Sequence, residues 1–326
     1  MDTQRLASLL AHFPALTLLV IGDYFLDRYL EIDPALAETS LETGLEAHQV
    51  VRVRCSPGAA GTVTSNLRSL GVNVIALGVI GDDGEGYELK RGLKATGVAL
   101  APLIETRERF TPTYTKPLIG MRELSRLDLK NRTPLPTHLE DESIARLRDL
   151  LPRVNGVIGV DHVQERNCGV ITDRVRQAIA TLTPTIPQPF VVESRERIGE
   201  FRSVIAQANA REARHAVSAD SLEACGAELQ RRNQRPALIT IGTEGILVFE
   251  AATCVRVPAA LVRGPIDTVG AGDSVIAGFT TALCAGASPR EAAEFGNLVA
   301  SVTIRQIGTT GTATPAQVLA AQQANE

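Results

Sequence analysis

An α/β fold, with a mostly parallel sheet between two layers of helix, is what this sequence predicts from three observations. Short β-branched runs alternate with amphipathic stretches along most of the chain. The 326 residues are 44% hydrophobic and 21% charged, enough apolar material for a sizeable core with a small appendage. A glycine-rich turn late in the chain runs directly into an apolar helical pattern, the arrangement that such folds use to bind anions.

Taken in order, residues 17–21 read as a strand, 62–70 as a helix, 72–80 as a strand and 84–95 as a helix. The alternation resumes over 156–160, 169–182, 190–193, 204–208, 219–231 and 237–241. The C-terminal third closes with helical segments over 273–285 and 289–305, a loop at 308–311 and a last helix from Pro315. Two stretches, 28–55 and 111–129, break this rhythm with Thr, Val and polar residues that lack helical periodicity. They are expected to pair as a small β lid hinged over a site at the sheet edge, leaving 1–27, 56–110 and 130–326 as the core. The plainer reading makes them two surface hairpins with no gating role.

Charge and cysteine usage narrow the function classes. The 33 basic and 37 acidic side chains give a net charge of −4 with no basic block, so nucleic acid is a poor candidate partner. Cys55, Cys168, Cys225, Cys254 and Cys284 are scattered, without a C-x-x-C pair or a histidine at metal-ligand spacing, and are expected to be reduced thiols. The apolar stretch 15–21 is too short to span a bilayer and no cleavage signal follows a charged leader, so the expectation is a cytoplasmic protein without a membrane partner.

Residues 264–273 read G-P-I-D-T-V-G-A-G-D and carry the most information. Gly270, Ala271 and Gly272 have almost no side chain, so their N–H groups can approach a phosphate, and the following helix adds positive potential there. Asp273 falls in the first helical turn, where an acid is also a common cap. No G-x-x-x-x-G-K-[ST] occurs, and Val275 takes the third glycine position of the dinucleotide fingerprint, so two familiar phosphate motifs are excluded.

The string D-T-x-G-A-G-D resembles the signature of the ribokinase-like (pfkB) carbohydrate kinases, and the resemblance extends along nearly the whole chain in the family's order. Residues 20–27 are similar to its first strand, whose end carries an acid for substrate hydroxyls; Asp27 is the better match and Asp23 the second. Residues 56–71, with Gly58, Ala59 and Asn66, resemble the substrate-side pattern P-G-G-A-A-N-x-A-x-N-x-x-x-L-G. Asn209 and Glu212 match N-x-x-E, which implies Glu212 beside water-bound magnesium. Thr240, Gly242 and Gly245 resemble the T-x-G-x-x-G nucleotide hairpin, and Asn297, Gly308 and Gly311 the adenine-side elements. Taken alone, each piece also has an ordinary explanation as a turn, cap or hairpin.

The resemblance implies a three-layer α/β/α ribokinase-like fold with a β lid. It also implies ATP and Mg2+ as cofactors and a sugar or sugar phosphate as substrate. Asp273 would be the base and the amides of Gly270 to Gly272 the anion hole. Asp267 resembles a monovalent-cation (K+) element, although a cap or loop acid reads the same. A homodimer through the lid is implied as well. Within the family, G-D-Y-F-L-D-R-Y at 22–29, Arg126 with Asp128, and Asp161 are most similar to the heptose-phosphate kinase branch. Ala59 replaces the second glycine of the pattern, Thr62 an asparagine, and Glu193 stands where aspartate is usual. These departures leave two rivals: a non-catalytic sugar or nucleotide sensor, and a nucleoside kinase of the same fold. The second is disfavoured by 4% aromatics and no Trp to clamp a base.

Overall fold

Eight strands form the central sheet of the computed structural model, which describes residues 1–120, 122–251 and 253–325. In space they run Thr253–Val257, Ile246–Glu250, Ala237–Thr240, Ile205–Asn209, Phe190–Ser194, Gly156–Asp161, Thr17–Gly22 and Asn73–Leu77. From Ala237–Thr240 to Asn73–Leu77 every pairing is parallel, and the two strands at the other edge are antiparallel. Parallel strands need crossovers, and the helices that supply them cover both faces.

The strand Thr17–Gly22 shows why the apolar runs are continuous. Leu18 and Val20 enter one core while Leu19 and Ile21 enter the other, and all four are fully buried. The first core is closed by Thr3–His12, Ala60–Ser69, Gly84–Ala95, Ala271–Cys284 and Pro289–Thr303, the second by Thr137–Leu150, Asp173–Leu182 and Leu222–Asn233. This is the expected three-layer arrangement. No helix among the described residues is long and apolar enough to cross a membrane.

A second sheet runs Arg122–Glu123, Thr113–Ile119, Tyr24–Ile32 and Val50–Ala59, with Leu127–Leu129 also paired to Thr113–Ile119. Its strands draw on both segments that broke the α/β rhythm, and reach further inward than expected. Tyr24–Ile32 begins at Tyr24 rather than Arg28, and Val50–Ala59 continues to Ala59 rather than stopping at Cys55. Met121 of the second segment, and Ala252 and Glu326 of the core segment, lie outside the described residues.

Other differences have local causes. The strand expected over 72–80 is split at Gly78 into Asn73–Leu77 and Val79–Gly81, the latter pairing with Ile104–Thr106. The helix expected from Gly169 starts only at Asp173, because Thr172 caps it by accepting a hydrogen bond from the Val175 N–H. Thr3–His12, capped by Asp2, and Thr137–Leu150, which precedes Gly156–Asp161, were not expected from the sequence.

Candidate active site

The carboxyl ends of the parallel strands bring together residues that lie far apart in sequence. His162 follows Gly156–Asp161, Glu193 and Arg195 end and follow Phe190–Ser194, Gln207 and Asn209 end Ile205–Asn209, and Thr240 ends its own strand. Open α/β sheets bind ligands at this edge. Opposite them lies the start of Ala271–Cys284, so that Thr268, Gly270, Ala271, Gly272 and Asp273 line the same cleft.

Gly270 makes the turn possible. It caps the helix with φ of 79°, a left-handed conformation that costs glycine nothing, and a Cβ there would crowd Thr310 Cγ2 at 3.3 Å. The Gly272 amide lies in the first turn, where helix N–H groups have no partner inside the helix, whereas the Ala271 N–H donates to the Thr268 carbonyl at 3.1 Å. Gln207 steadies the turn by donating from Nε2 to the Gly272 carbonyl at 3.2 Å.

Asp273 is only partly accessible, and burial is the main cause that pushes its carboxyl up to about 7, with the charge of Glu193 adding to it and His162 opposing. Glu193, 8% exposed, is likewise pushed up by burial to about 7. His162 is 8% exposed and held low by burial, so its ring is neutral; Nε2 meets Glu193 Oε1 at 3.1 Å, while Nδ1 has no protein partner. The nearest reaching atoms of His162, Glu193 and Asp273 all fall within 4.8 Å of one another. A proton, a cation or a polar substrate can satisfy such a group.

Two cavities flank this centre. On the nucleotide-like side Asn209 and Thr240 continue into a larger cleft that includes Gly242, Thr243, Glu244 and Arg256. Gly245 closes its hairpin with φ of 102°, where a Cβ would meet the Val257 carbonyl oxygen at 2.0 Å. On the other side His162 also walls a cavity lined by Phe25, Pro112, Tyr114, Lys130 and Asn131, partly from the second sheet. Tyr114 packs edge-on against Phe25 with ring centroids 5.2 Å apart and carries Arg126 over its face at 4.2 Å. Arg126 in turn grips Asp128 through two bonds of 2.6 and 2.9 Å.

Several motif residues have other partners. Asp23 is 3% exposed, and its carboxylate accepts N–H bonds from His162, Val163 and Val170 at 2.8 to 2.9 Å, so it clasps the loop after Asp161 and does not reach the cleft. Asp161 is itself buried, bound to Arg197 at 2.8 Å and Ser194 at 2.6 Å. Asp27 pairs with Lys116 at 2.9 Å, close to Gly58 at the base of the second sheet. Asn66 is fully buried in its helix, donating to the Thr62 carbonyl. Ala59 caps that helix with φ of 52° and ψ of −118°.

Asn209 and Glu212 form a reciprocal capping box and both line the cleft. Asn297 donates to the Val257 and Pro258 carbonyls and so ties its helix to the edge strand. Asp267 accepts from the Val269 and Gly308 N–H groups, bracing the anion turn against the loop that carries Gly308 and Gly311. Sequence reasoning did not single out His162, Arg195, Gln207, Tyr114 or Lys130, which belong to no motif and come from strand ends and the second sheet.

Comparison with known proteins agrees with this geometry. The family model described as pfkB family carbohydrate kinase matches residues 25–317. Among curated relatives, the bifunctional protein HldE of Wolinella succinogenes is 29% identical over 310 residues, covering 93% of this chain and 64% of that protein. HldE of Trichlorobacter lovleyi is 27% identical over 332 residues, covering 98% and 66%. The chain thus spans just under two thirds of the length of these relatives. Among solved structures, Arabidopsis thaliana ribokinase complexed with ribose and ATP superposes with a TM-score of 0.72 at 17% identity, covering 94% of this chain and 99% of that one. Adenosine kinase from Sinorhizobium meliloti gives 0.66 at 21% identity, covering 95% and 99%. These likenesses show the ribokinase-like fold.

Proposed function

This chain belongs to the pfkB family of carbohydrate kinases, and on that premise we propose that it transfers the γ-phosphate of ATP to a hydroxyl of a sugar or sugar phosphate. One observation carries the reading: Asp273 and the amides that open its helix share a cleft lying between a nucleotide-sized groove and a polar, half-aromatic cavity. Phosphoryl transfer is loose, so the protein mainly aligns oxygen with phosphorus and neutralises charge. Asp273 accepts the hydroxyl proton as the new bond forms, and the amides of the Gly270 to Gly272 turn, that of Ala271 shared with the Thr268 carbonyl, stabilise the charge gathering on the phosphoryl oxygens. Losing one such donor costs about 2.7–4 kcal/mol of transition-state stabilisation by analogy with oxyanion sites.

Glu212 offers hard carboxylate oxygens to the cleft, which fit a hydrated magnesium ion held through water; when bound, such an ion neutralises phosphate charge. The acceptor enters beside Phe25, Tyr114, Lys130 and Asn131, whose cavity has room for little more than a water, so the second sheet opens outward to admit a polyhydroxyl compound, with or without a phosphate, to one cation and two amides, Asn131 and Gln164. The relatives named HldE and the G-D-Y-F-L-D-R-Y phrase favour a heptose phosphate. Asp267 supports a potassium-dependent loop, and a potassium titration of activity tests it. The second sheet forms a homodimer contact, with Val51 and Val53 exposed on its edge strand.

The deciding experiment measures ADP release with a panel of sugars and sugar phosphates, for the native protein and Asp273→Asn. Turnover that survives the substitution unchanged overturns the assignment of the base. Saturable binding of both ligands without any turnover in the native protein favours the sensor instead.

A further inference from the structure

His162, Glu193 and Asp273 form the only cluster among the described residues in which three metal-ligating side chains of this kind converge. His162 Nε2 and Glu193 Oε1 stand 3.1 Å apart, about the separation of two ligands each roughly 2.0–2.2 Å from one tetrahedral ion. Two carboxylates share the pocket with Arg195 as the cation beside them. Two further atoms around it are buried without a protein partner, Nδ1 of His162 and Oε1 of Gln207. Gln207 is 3% exposed and its Nε2 is fixed on the Gly272 carbonyl, which leaves the oxygen as the unpaired end of the amide.

We propose that His162, Glu193 and Asp273 directly ligate a transition-metal dication of the manganese, cobalt or zinc class, at a site distinct from a hydrated magnesium ion beside Glu212. An imidazole in the ligand set decides the class. Magnesium demands near-octahedral oxygen ligands and gives up water reluctantly, whereas imidazole with carboxylate suits the first-row transition ions. The ion takes the place of the proton shared by His162 and Glu193, and the imidazole proton passes to Nδ1. Its positive charge answers the two carboxylates that otherwise face each other. A consequence that rests on the kinase reading is inhibition: an ion held by Asp273 withdraws the base from the acceptor hydroxyl.

The test uses the whole chain stripped with a chelator, without nucleotide or sugar, so that its result stands apart from catalysis. Cobalt(II) is titrated and followed by visible absorption, and zinc and magnesium are compared by calorimetry. The expected result is one cobalt ion per chain, with cobalt and zinc bound at least roughly tenfold more tightly than magnesium. His162→Leu and Glu193→Gln should each weaken cobalt binding by a further tenfold or more, on the order of the loss seen when a metal site is disturbed. Cobalt binding no tighter than magnesium overturns the proposal. So does unchanged cobalt affinity in a variant whose melting curve shows it folded. If both variants unfold, crystals of the native protein soaked in zinc decide: anomalous density between these three side chains supports the site, and density only at exposed histidines refutes it. A protein that binds cobalt here yet phosphorylates nothing would leave this inference standing while the kinase reading fails.

Discussion

The carboxyls of Glu193 and Asp273 come within 4.8 Å of each other, one near the end of a parallel strand and the other in the first turn of a helix. Burial holds both near 7, with the charge of Glu193 adding to the rise at Asp273 and that of Glu212 to the rise at Glu193, which the hydrogen bond to Asp273 opposes. Such a pair places the proposed base at the pH where it can both accept and return a proton.

A pH-dependent rate follows. Asp273 must be ionised to accept a proton, so kcat/KM for a saturating nucleotide should rise with pH through about 7 and level off above it. Glu193→Gln removes the neighbouring negative charge, lowers the carboxyl of Asp273 and should move the rise to more acidic pH. Asp273→Asn should lower turnover by about 10²–10⁴-fold on the plateau above pH 7, and by less at acidic pH, where the native carboxyl is itself protonated. An activity profile of Glu193→Gln that coincides with the native one would separate the two carboxyls and remove the basis of this prediction.

The same pair should cost stability. Both groups hold protons more tightly folded than unfolded, where the ordinary values are 3.8 for Asp273 and 4.5 for Glu193. Between about pH 4 and pH 7 the folded form binds more protons, so stability falls as pH rises, and above about 7 the loss is complete. Asp273→Asn should therefore melt a few degrees above the native protein at pH 8 in chelator, a gain of about 1–3 kcal/mol after allowing for the residue's contact with solvent. Near pH 4 the two should melt together. Differential scanning calorimetry at both pH values checks the sign; a variant that is less stable at pH 8 contradicts it.

Asp23 should behave as a structural clasp. Its carboxylate satisfies three buried N–H groups of the loop that carries His162, and Asp23→Ala leaves them unpaired. Each lost charge-assisted bond is worth about 1.5–3 kcal/mol, so the variant should lose at least several kcal/mol of stability in urea unfolding. If Asp23 instead bound the acceptor directly, its removal would raise KM while the unfolding midpoint stayed put.

The edge strand Val50–Ala59 carries Val51 and Val53, 57% and 53% exposed, where its pairing with Tyr24–Ile32 shifts register at Val51. An unpaired apolar edge of this kind invites a second chain. Sedimentation velocity should give a dimer for the native protein and a monomer for Val51→Glu combined with Val53→Glu. A native protein that sediments as a monomer at micromolar concentration removes the homodimer.

How much of this was readable in sequence depends on how local each feature is. The glycine turn that opens Ala271–Cys284 was legible because Gly270, Ala271, Gly272 and Asp273 are consecutive and run straight into an apolar helical pattern. The parallel sheet was legible because burial on both faces leaves an unbroken apolar run such as residues 17–21. His162, Arg195 and Gln207 were hidden, since each ends a different strand and only the folded sheet makes them neighbours. Asp23 and Asp27 read alike in sequence, because an acid at a strand end looks the same whether it faces backbone amides, as Asp23 does, or a lysine, as Asp27 does. Asn297 and Asp267 hold the nucleotide-side framework through main-chain contacts that no motif reveals.

Ala59 joins the sequence and the backbone most directly. The family pattern has glycine there, and the chain still takes a glycine conformation, with φ of 52° and ψ of −118° at the cap of Ala60–Ser69. A Cβ in that region costs about 1–3 kcal/mol, while glycine costs about 0.5–1 kcal/mol in unfolded-chain entropy. The first term is the larger, so Ala59→Gly should stabilise the protein by about 1 kcal/mol. Ala59→Val should destabilise it, because a β-branched side chain tolerates that conformation least. Thermal melting of both variants against the native chain checks the order. If Ala59→Gly melts lower, the strain is absent and the helix cap is held by something other than its backbone angles.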